Sequence, residues 1–345
     1  MSKRSFQTRL RNLCLLAIIA LCIPLIAGFF GRVHPAFDSL AHFRAHLAAL
    51  IALCSLPLVL GSMWHHAALG LSLALASFLT LVPLQTLLQN PSRDAHASLS
   101  ESGPLYRLLQ LNLRFDNPDP TRVLSLIGRE NPDIIIFQEV SEQVSMLPER
   151  LKHLYSHQIK CPDISAVGSV AILSRRPFLT QPLCEKSGRL AIVTVDLNGQ
   201  PVQVAGVHLG WPWPFEQPEE VASLEPVFAA LADDALVAGD FNAAGWSNTV
   251  RRIALAGGLT RGSHTSPTWL HHSLPKVLRP IVGLPLDHAL SKGAVQIVNI
   301  RSGEDAGSDH TPLLIDFAIG REPSLAEGST VVETHEKPAT SRVAG

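Results

Sequence analysis

Uninterrupted apolar runs fill the first 90 residues, whereas the rest of the chain carries short apolar segments cut by polar turns. Three runs, about Cys14–Phe30, Leu47–Met63 and Ala67–Leu88, contain no Asp, Glu, Lys or Arg. Each approaches the ~20 residues that cross a ~30 Å hydrocarbon core. They predict a membrane anchor over residues 1–90, with three transmembrane helices at about 12–30, 46–63 and 67–88. Lys3, Arg4, Arg9 and Arg11 precede the first run and predict a cytoplasmic N-terminus. Three crossings then place everything after residue 90 outside the cytoplasmic membrane. The loops pull against this orientation: the first carries Arg32 and Arg44, while "WHH" between the second and third runs has no Lys or Arg. "PLIAGFFGRVHP" offers no small-x-small cleavage site, so the first run reads as an uncleaved anchor rather than a signal peptide.

Beyond the runs the period shortens. Residues 91–104, "PSRDAHASLSESGP", read as a polar linker, 105–319 as one globular domain and 320–345 as a disordered tail without apolar periodicity. Within the domain "LYRLLQLNL" predicts a strand. "PTRVLSLIGREN" predicts a helix, with Asp119 as N-cap and Pro120 at its first position. "PDIIIFQEV", "SVAILSR", "RLAIVTVDL", "PVQVAGVHL", "ALVAGDFN", "DHALS", "AVQIVNI" and "TPLLIDF" predict further strands, with helices near 218–232 and 247–256. Hairpins with interspersed helices predict an α/β (α+β) domain of two packed sheets flanked by helices, not a doubly wound parallel sheet.

Polar residues recur where these strands end. Apolar segments run into Asn112, Gln138-Glu139, His208, Asp240-Phe241-Asn242 and Asp287-His288, and "GSDH" opens the last strand with Asp309 and His310. Singly, each has an ordinary explanation, such as an Asx-turn at Asp240 or a satisfied core histidine at His208. Six such termini without a Ser or Cys nucleophile motif favour a hard-cation site built from oxygen ligands.

These pieces, "LNLR" (111–114), "IIIFQEV" (134–140), "GVHL" (206–209), "AGDFNA" (238–243), "LDHAL" (286–290) and "GSDHTPL" (307–313), resemble the endonuclease/exonuclease/phosphatase superfamily. The resemblance implies a four-layer α/β/β/α sandwich of the deoxyribonuclease I-like type and a metal-dependent phosphoric ester hydrolase. It implies Mg²⁺, with Mn²⁺ as a substitute, held chiefly by Glu139 with Asn112 and Asp309. Asp240 would orient or deprotonate the attacking water, and Asn242 would bind phosphate oxygen or nucleophile. His208 and His310 would donate to non-bridging oxygens, and Asp287 would hold His310 as imidazolium. Arg114 is either a phosphate contact or a solvated arginine. His288 stands where the family commonly has an aromatic residue and receives no role.

Charge and aromatic placement bear on the substrate. The chain has 28 basic and 29 acidic residues. Seven of the former and two of the latter precede residue 101, so residues 101–345 carry 21 against 27, a formal charge of −6. Tight nucleic-acid binding rests on Lys and Arg at phosphates, so nucleic acid is not the favoured partner. In "GVHLGWPWPF" (206–215), Trp211, Trp213 and Phe215 leave the strand bearing His208 on a proline-stiffened loop. With Trp246 and Trp269 they read as a substrate-binding rim near a bilayer or as ordinary loop packing. Three spans, an exported domain and "HLGWPWP" also resemble a membrane-anchored bacterial branch of the superfamily, similar to the teicoplanin-resistance membrane phosphatase. The expected function is hydrolysis of a lipid-linked or membrane-proximal phosphoester, as a phosphatase or phosphodiesterase, by a multi-pass inner-membrane protein. The expected partners are the bilayer and the substrate, with no obligate protein partner. An anchored nuclease is the alternative, and a non-catalytic binding module the weakest reading. Cys161 and Cys184, the two cysteines outside the apolar runs, are either a disulfide of an exported domain or free buried thiols.

Overall fold

Alternation of apolar side chains sorts the strands into a sandwich. The computed structural model describes residues 3–59, 61–81, 102–163, 165–185 and 188–320. One six-stranded sheet has the order β11-β12-β1-β2-β4-β3. Its strands are β1 (Ser102–Asn112), β2 (Ile134–Val140), β3 (His157–Lys160), β4 (Ser169–Ser174), β11 (Val295–Ser302) and β12 (Leu313–Gly320). The second has the order β5-β6-β7-β8-β10-β9. It comprises β5 (Leu183–Cys184), β6 (Leu190–Leu197), β7 (Gln200–His208), β8 (Ala235–Asp240), β9 (Thr260–Arg261) and β10 (Asp287–Lys292).

Period-2 positions Leu108, Ile134, Ile136, Val202, Val204, Leu236, Ala238 and Ala289 meet between the sheets. Their alternates Leu109, Leu111, Ile135 and Phe137 pack under α5 (Thr121–Glu130) and α6 (Met146–Leu151). Ala205, Val207, Val237 and Leu290 pack under α7 (Gln217–Ala229) and α8 (Asn248–Gly257). The result is the expected helix, sheet, sheet, helix layering. Gly206 lies where the sheets approach closely: a Cβ there would stand 2.8 Å from Ile136 Cγ2. Helix α5 is capped at Pro120, one residue later than expected. The Asp119 carboxylate instead accepts from the Thr121 hydroxyl. Cys161 and Cys184 are disulfide-bonded, with a Cα–Cα distance of 5.5 Å.

The apolar N-terminal region differs from three spans. Helix α1 (Lys3–Ala27) contains one 23-residue stretch, Ser5–Ala27, long and apolar enough to cross a membrane. At the N-terminus such a helix is a membrane anchor or a signal sequence. The second expected span is cut short: α3 (Arg44–Val59) ends at Val59, and ahead of it α2 (Pro35–Ala41) meets α3 at 60°. The 16 residues of α3 reach about 24 Å at 1.5 Å per residue, short of the ~30 Å core. Helix α4 (Trp64–Leu79) also has 16 residues. The remainder of the third expected span (82–88) lies outside the described residues, as do the tail from 321 and most of the linker. Strand β1 begins three residues inside that expected linker.

Helices α1, α3 and α4 share a core of Ile18, Leu25, Ala48, Ile51, Leu58, Ala67 and Ala74. Small residues bring α3 and α4 close together. A Cβ on Gly70 would stand 2.4 Å from Ser55 Oγ.

The N-terminal helical region also docks on the sandwich. Asp38 of α2 accepts from the backbone N–H of Asn248 (2.5 Å) and of Thr249 (2.9 Å), the first turn of α8. Trp246 Nε1 donates to Ala41 O at 2.7 Å, and Ser39 Oγ donates to Trp213 O at 2.9 Å.

Candidate active site

The alternation that builds the inter-sheet core delivers polar side chains once the apolar residues run out. On β1, Gln110 and Asn112 continue the face of Leu108. On β7, His208 continues the face of Val202 and Val204, and on β8, Asp240 continues that of Leu236 and Ala238. Pairing aligns the rows: His208 lies opposite Asp240, Asp240 opposite Asp287, and Asn112 opposite Gln138. Gly239 permits this register because the backbone is close: a Cβ there would stand 2.0 Å from Val207 O.

Glu139 breaks the rule. Alternation would send it with Ile135 and Phe137 toward the helices. The β2–β4 register shifts between Phe137 and Val140, and Glu139 takes φ 57°. This bulge lets Val140 join the helix-side core while the Glu139 carboxylate turns into the site. Oε1 accepts from Asn112 Nδ2 at 3.0 Å and Oε2 from Phe115 N at 2.8 Å.

The two rows close on one another. Asn112 Nδ2 also donates to Asp240 Oδ2 at 3.0 Å, so one amide bridges two carboxylates. Asp287 Oδ2 and His310 Nδ1 are 2.8 Å apart, and His310 Nε2 lies 3.6 Å from Asp240 Oδ2. His208 Nε2 lies 3.7 Å from Glu139 Oε1 and 3.9 Å from Asp240 Oδ2. Asp240 Oδ1 accepts from Asn242 N at 2.8 Å, and Asn242 Nδ2 donates to Leu209 O at 2.8 Å. This Asx-turn ties "GDFN" to the loop after β7.

Charge follows burial and pairing. Burial alone would lower the His310 imidazole, but Asp287 and Asp240 outweigh it and hold it up to about 10. Burial works to raise Asp287, and the His310 charge and hydrogen bond overcome it, leaving the carboxyl below its usual range. Burial pushes Asp240 up to about 7 against the pull of His310. Burial also raises Glu139, with Asp309 adding to the effect while Asn112 and Phe115 oppose it. His208, buried and beside Arg189 and His310, is pushed down to about 3 and is neutral. The site thus has four carboxylates facing one imidazolium, a hard-oxygen donor set with excess negative charge that fits a divalent cation.

Asn112, Glu139, His208, Asp240, Asn242, Asp287, Asp309 and His310 therefore share one end of the sandwich. The four proposed substrate contacts divide. Trp211 is exposed on the rim and meets Trp269 edge-on at 5.8 Å, and Trp269 pairs by backbone with His310. Trp213 packs on His34, the N-cap of α2, at 5.9 Å, and Trp246 bonds to Ala41, so both dock α2. Arg114 is turned to local use: its Nε donates to Asp116 Oδ1 at 2.5 Å. His288 lies on the opposite face of β10, against Ala243 O (2.8 Å) and Phe241. Three positioning residues were not foreseen. Gln110 Nε2 donates to Asp287 Oδ1 at 2.8 Å, the Thr268 hydroxyl accepts from Asp287 N at 3.1 Å, and Ser308 Oγ donates to Asn112 O at 2.7 Å. Gln110 was legible, standing two residues before Asn112 on one strand face. Ser308 stood inside the quoted "GSDH" motif without a role of its own, and Thr268 carries no comparable signal.

The chain matches the endonuclease/exonuclease/phosphatase family over residues 109–310. Among solved structures it is similar to an endonuclease/exonuclease/phosphatase from Beutenbergia cavernae DSM 12333. The identity is 19% and the TM-score 0.50, covering 63% of this chain and 72% of that one. It is similar also to D. rerio TDP2 complexed with single strand DNA product (19%, TM-score 0.51, 62% and 99% covered). Truncated Caenorhabditis elegans TDP2 is a third (19%, TM-score 0.50, 64% and 99% covered). At such identity these structures show a shared fold. No curated protein matches the sequence.

Proposed function

The chain belongs to the endonuclease/exonuclease/phosphatase family, whose members are hydrolases acting on phosphoesters, and we propose that it hydrolyses a lipid-linked or membrane-proximal phosphoester with a divalent cation. The observation that carries this reading is the docking of α2: Asp38, Ser39 and Ala41 bond to the backbone or side chains of Thr249, Asn248, Trp213 and Trp246, beside the polar cluster. A site held against an apolar helical anchor meets substrates of the membrane surface at high effective concentration. Cleavage of α1 as a signal would strip Ile18 and Leu25 from the α3–α4 core, which favours an uncleaved anchor. The Cys161–Cys184 disulfide supports an extracytoplasmic catalytic domain.

Glu139, Asn112 and Asp309 are the proposed ligands of Mg²⁺ or Mn²⁺. Asp240, Asp287 and His310 also offer ligand atoms within 4.8 Å of one another. However, an imidazolium has no lone pair for a metal, and His310 Nδ1 is already committed to Asp287. When bound, the cation offsets charge on the phosphate oxygens. Asp240, with a carboxyl raised toward neutrality, accepts a proton from the attacking water. His310, held as imidazolium by Asp287, donates to a non-bridging oxygen as negative charge builds. His208, neutral, offers one ring N–H to the same group.

The test is metal-dependent phosphate release from a prenyl phosphate or a phospholipid in vesicles, compared with nicking of plasmid DNA. Hydrolysis of lipid and not DNA, lost on chelation, is expected. Efficient nicking without lipid hydrolysis identifies an anchored nuclease instead.

A further inference from the structure

The catalytic domain and the anchor enclose a cavity of about 620 Å³. That is within the range of sites for small molecules, ~300–1,000 Å³. Ala45 and Ala49 of α3, Phe78 of α4, and Trp246, Pro267 and Ile281 of the sandwich line it. His42 Nε2 and His46 Nδ1 are buried at its wall with no partner among the described residues.

We infer that this cavity takes the hydrocarbon tail of the phosphate-bearing lipid, an inference that rests on the lipid phosphoester reading above. Two features point to a membrane lipid as occupant. First, the segment bordering the cavity exposes apolar side chains: Val277 is 80% and Ile281 68% exposed, with Leu274 and Val282 beside them and Lys276 and Arg279 interleaved. Apolar groups with basic neighbours, across the cavity from helices that expose Leu50, Leu53, Leu69 and Leu75, suit contact with a bilayer. Phe78 and Leu79 belong both to that outer surface and to the cavity wall, which therefore opens toward lipid.

Second, the wall shares its backbone with the polar cluster. Pro267 precedes Thr268, whose hydroxyl accepts from Asp287 N, and Pro285 stands two residues before Asp287. Arg279 Nη2 donates to Asp309 O at 2.8 Å, and its Nη1 reaches the Thr311 hydroxyl. A tail between α3 and this segment thus leaves its phosphate on the side of Asp309 and His310.

The test uses full-length protein in phosphatidylcholine nanodiscs and hexadecyl phosphate bearing a mid-chain diazirine. Photolabel is expected on Ala45, Ala49, Phe78 or Ile281, and Ala49→Trp should remove most of it. Label confined to Leu13, Leu16 and Ile19, on the outer face of α1, overturns the inference. So does an unlabelled cavity, the result expected if residues 82–88, next in the chain after Leu81, fill it. In parallel, hydrolysis of hexadecyl 4-nitrophenyl phosphate is compared with that of methyl 4-nitrophenyl phosphate. Ala49→Trp should lower kcat/KM on the long chain about tenfold, the loss of roughly two buried methylenes, and spare the short one. Equal rates for wild type and variant on the long chain refute the tail site alone. Labelling of the cavity without hydrolysis of any phosphoester refutes the enzymatic reading and leaves the tail site standing.

Discussion

Replacing Asp38 with alanine is expected to undock α2 from the sandwich. Asp38 is buried, and its two oxygens accept from Asn248 N and Thr249 N, the first N–H groups of α8. That helix otherwise has only the Ser247 hydroxyl, which accepts from Val250 N at 3.2 Å. The cap therefore comes mostly from a residue some 210 positions away. Hydrogen bonds to a charged group contribute about 1.5–3 kcal/mol each. A carboxylate at a helix N-terminus adds about 0.3–1 kcal/mol. Water replaces part of what alanine removes, so the lower end applies, and the loss is about 3–4 kcal/mol. At roughly 2–4 °C per kcal/mol for a domain of this size, the midpoint falls by about 6–16 °C. The assay is thermal unfolding of the full-length protein in detergent, followed by near-UV circular dichroism. Asp38→Asn keeps an acceptor and should lose less than half as much. A midpoint within about one degree of wild type for Asp38→Ala would refute the reasoning, because the cap would then contribute nothing that water does not supply.

Other substitutions probe the site and its frame. Glu139→Gln and His310→Ala should each lower metal-dependent hydrolysis by about 10²–10³ with unchanged circular dichroism, and only Glu139→Gln should weaken Mg²⁺ binding by calorimetry. Gly239→Ala places a Cβ 2.0 Å from Val207 O, so the variant should express poorly or unfold well below wild type in urea. Replacing both Cys161 and Cys184 with serine opens a loop of sequence separation 23 and should lower stability by about 3 kcal/mol in denaturant titration. Trp211→Ala should weaken hydrolysis of lipid phosphate more than of a small soluble phosphodiester, and equal losses would return Trp211 to plain packing.

Much of the site was legible because β-structure carries its own ruler. Leu108, Gln110 and Asn112, or Leu236, Ala238 and Asp240, lie on one face through period-2 geometry alone, and each strand's polar terminus announces where the apolar core stops. The disulfide was left open by the sequence, since two cysteines do not state their separation in space. Helix α5 was recognisable from its apolar period, though its cap fell one residue late.

The sequence by itself determined nine of the twelve described strands (all but β3, β5 and β9), helices α5, α7 and α8 but not α6, the inner face of the sandwich, and the placing of Asn112, His208, Asp240 and Asp287 along it, because alternation depends only on local backbone geometry. The tertiary structure decided what local geometry cannot. The β2 bulge turns Glu139 against its own period, since its register is settled by pairing with β4. The chain bends where α2 meets α3, ahead of the second apolar run, and α2 grips the sandwich through Asp38, the lone acidic residue of the first 90. That grip takes Trp213 and Trp246 from the expected rim to α2 and its cap. Contacts between residues some 200 positions apart arise from the shapes of folded surfaces, and no periodicity in the chain encodes them.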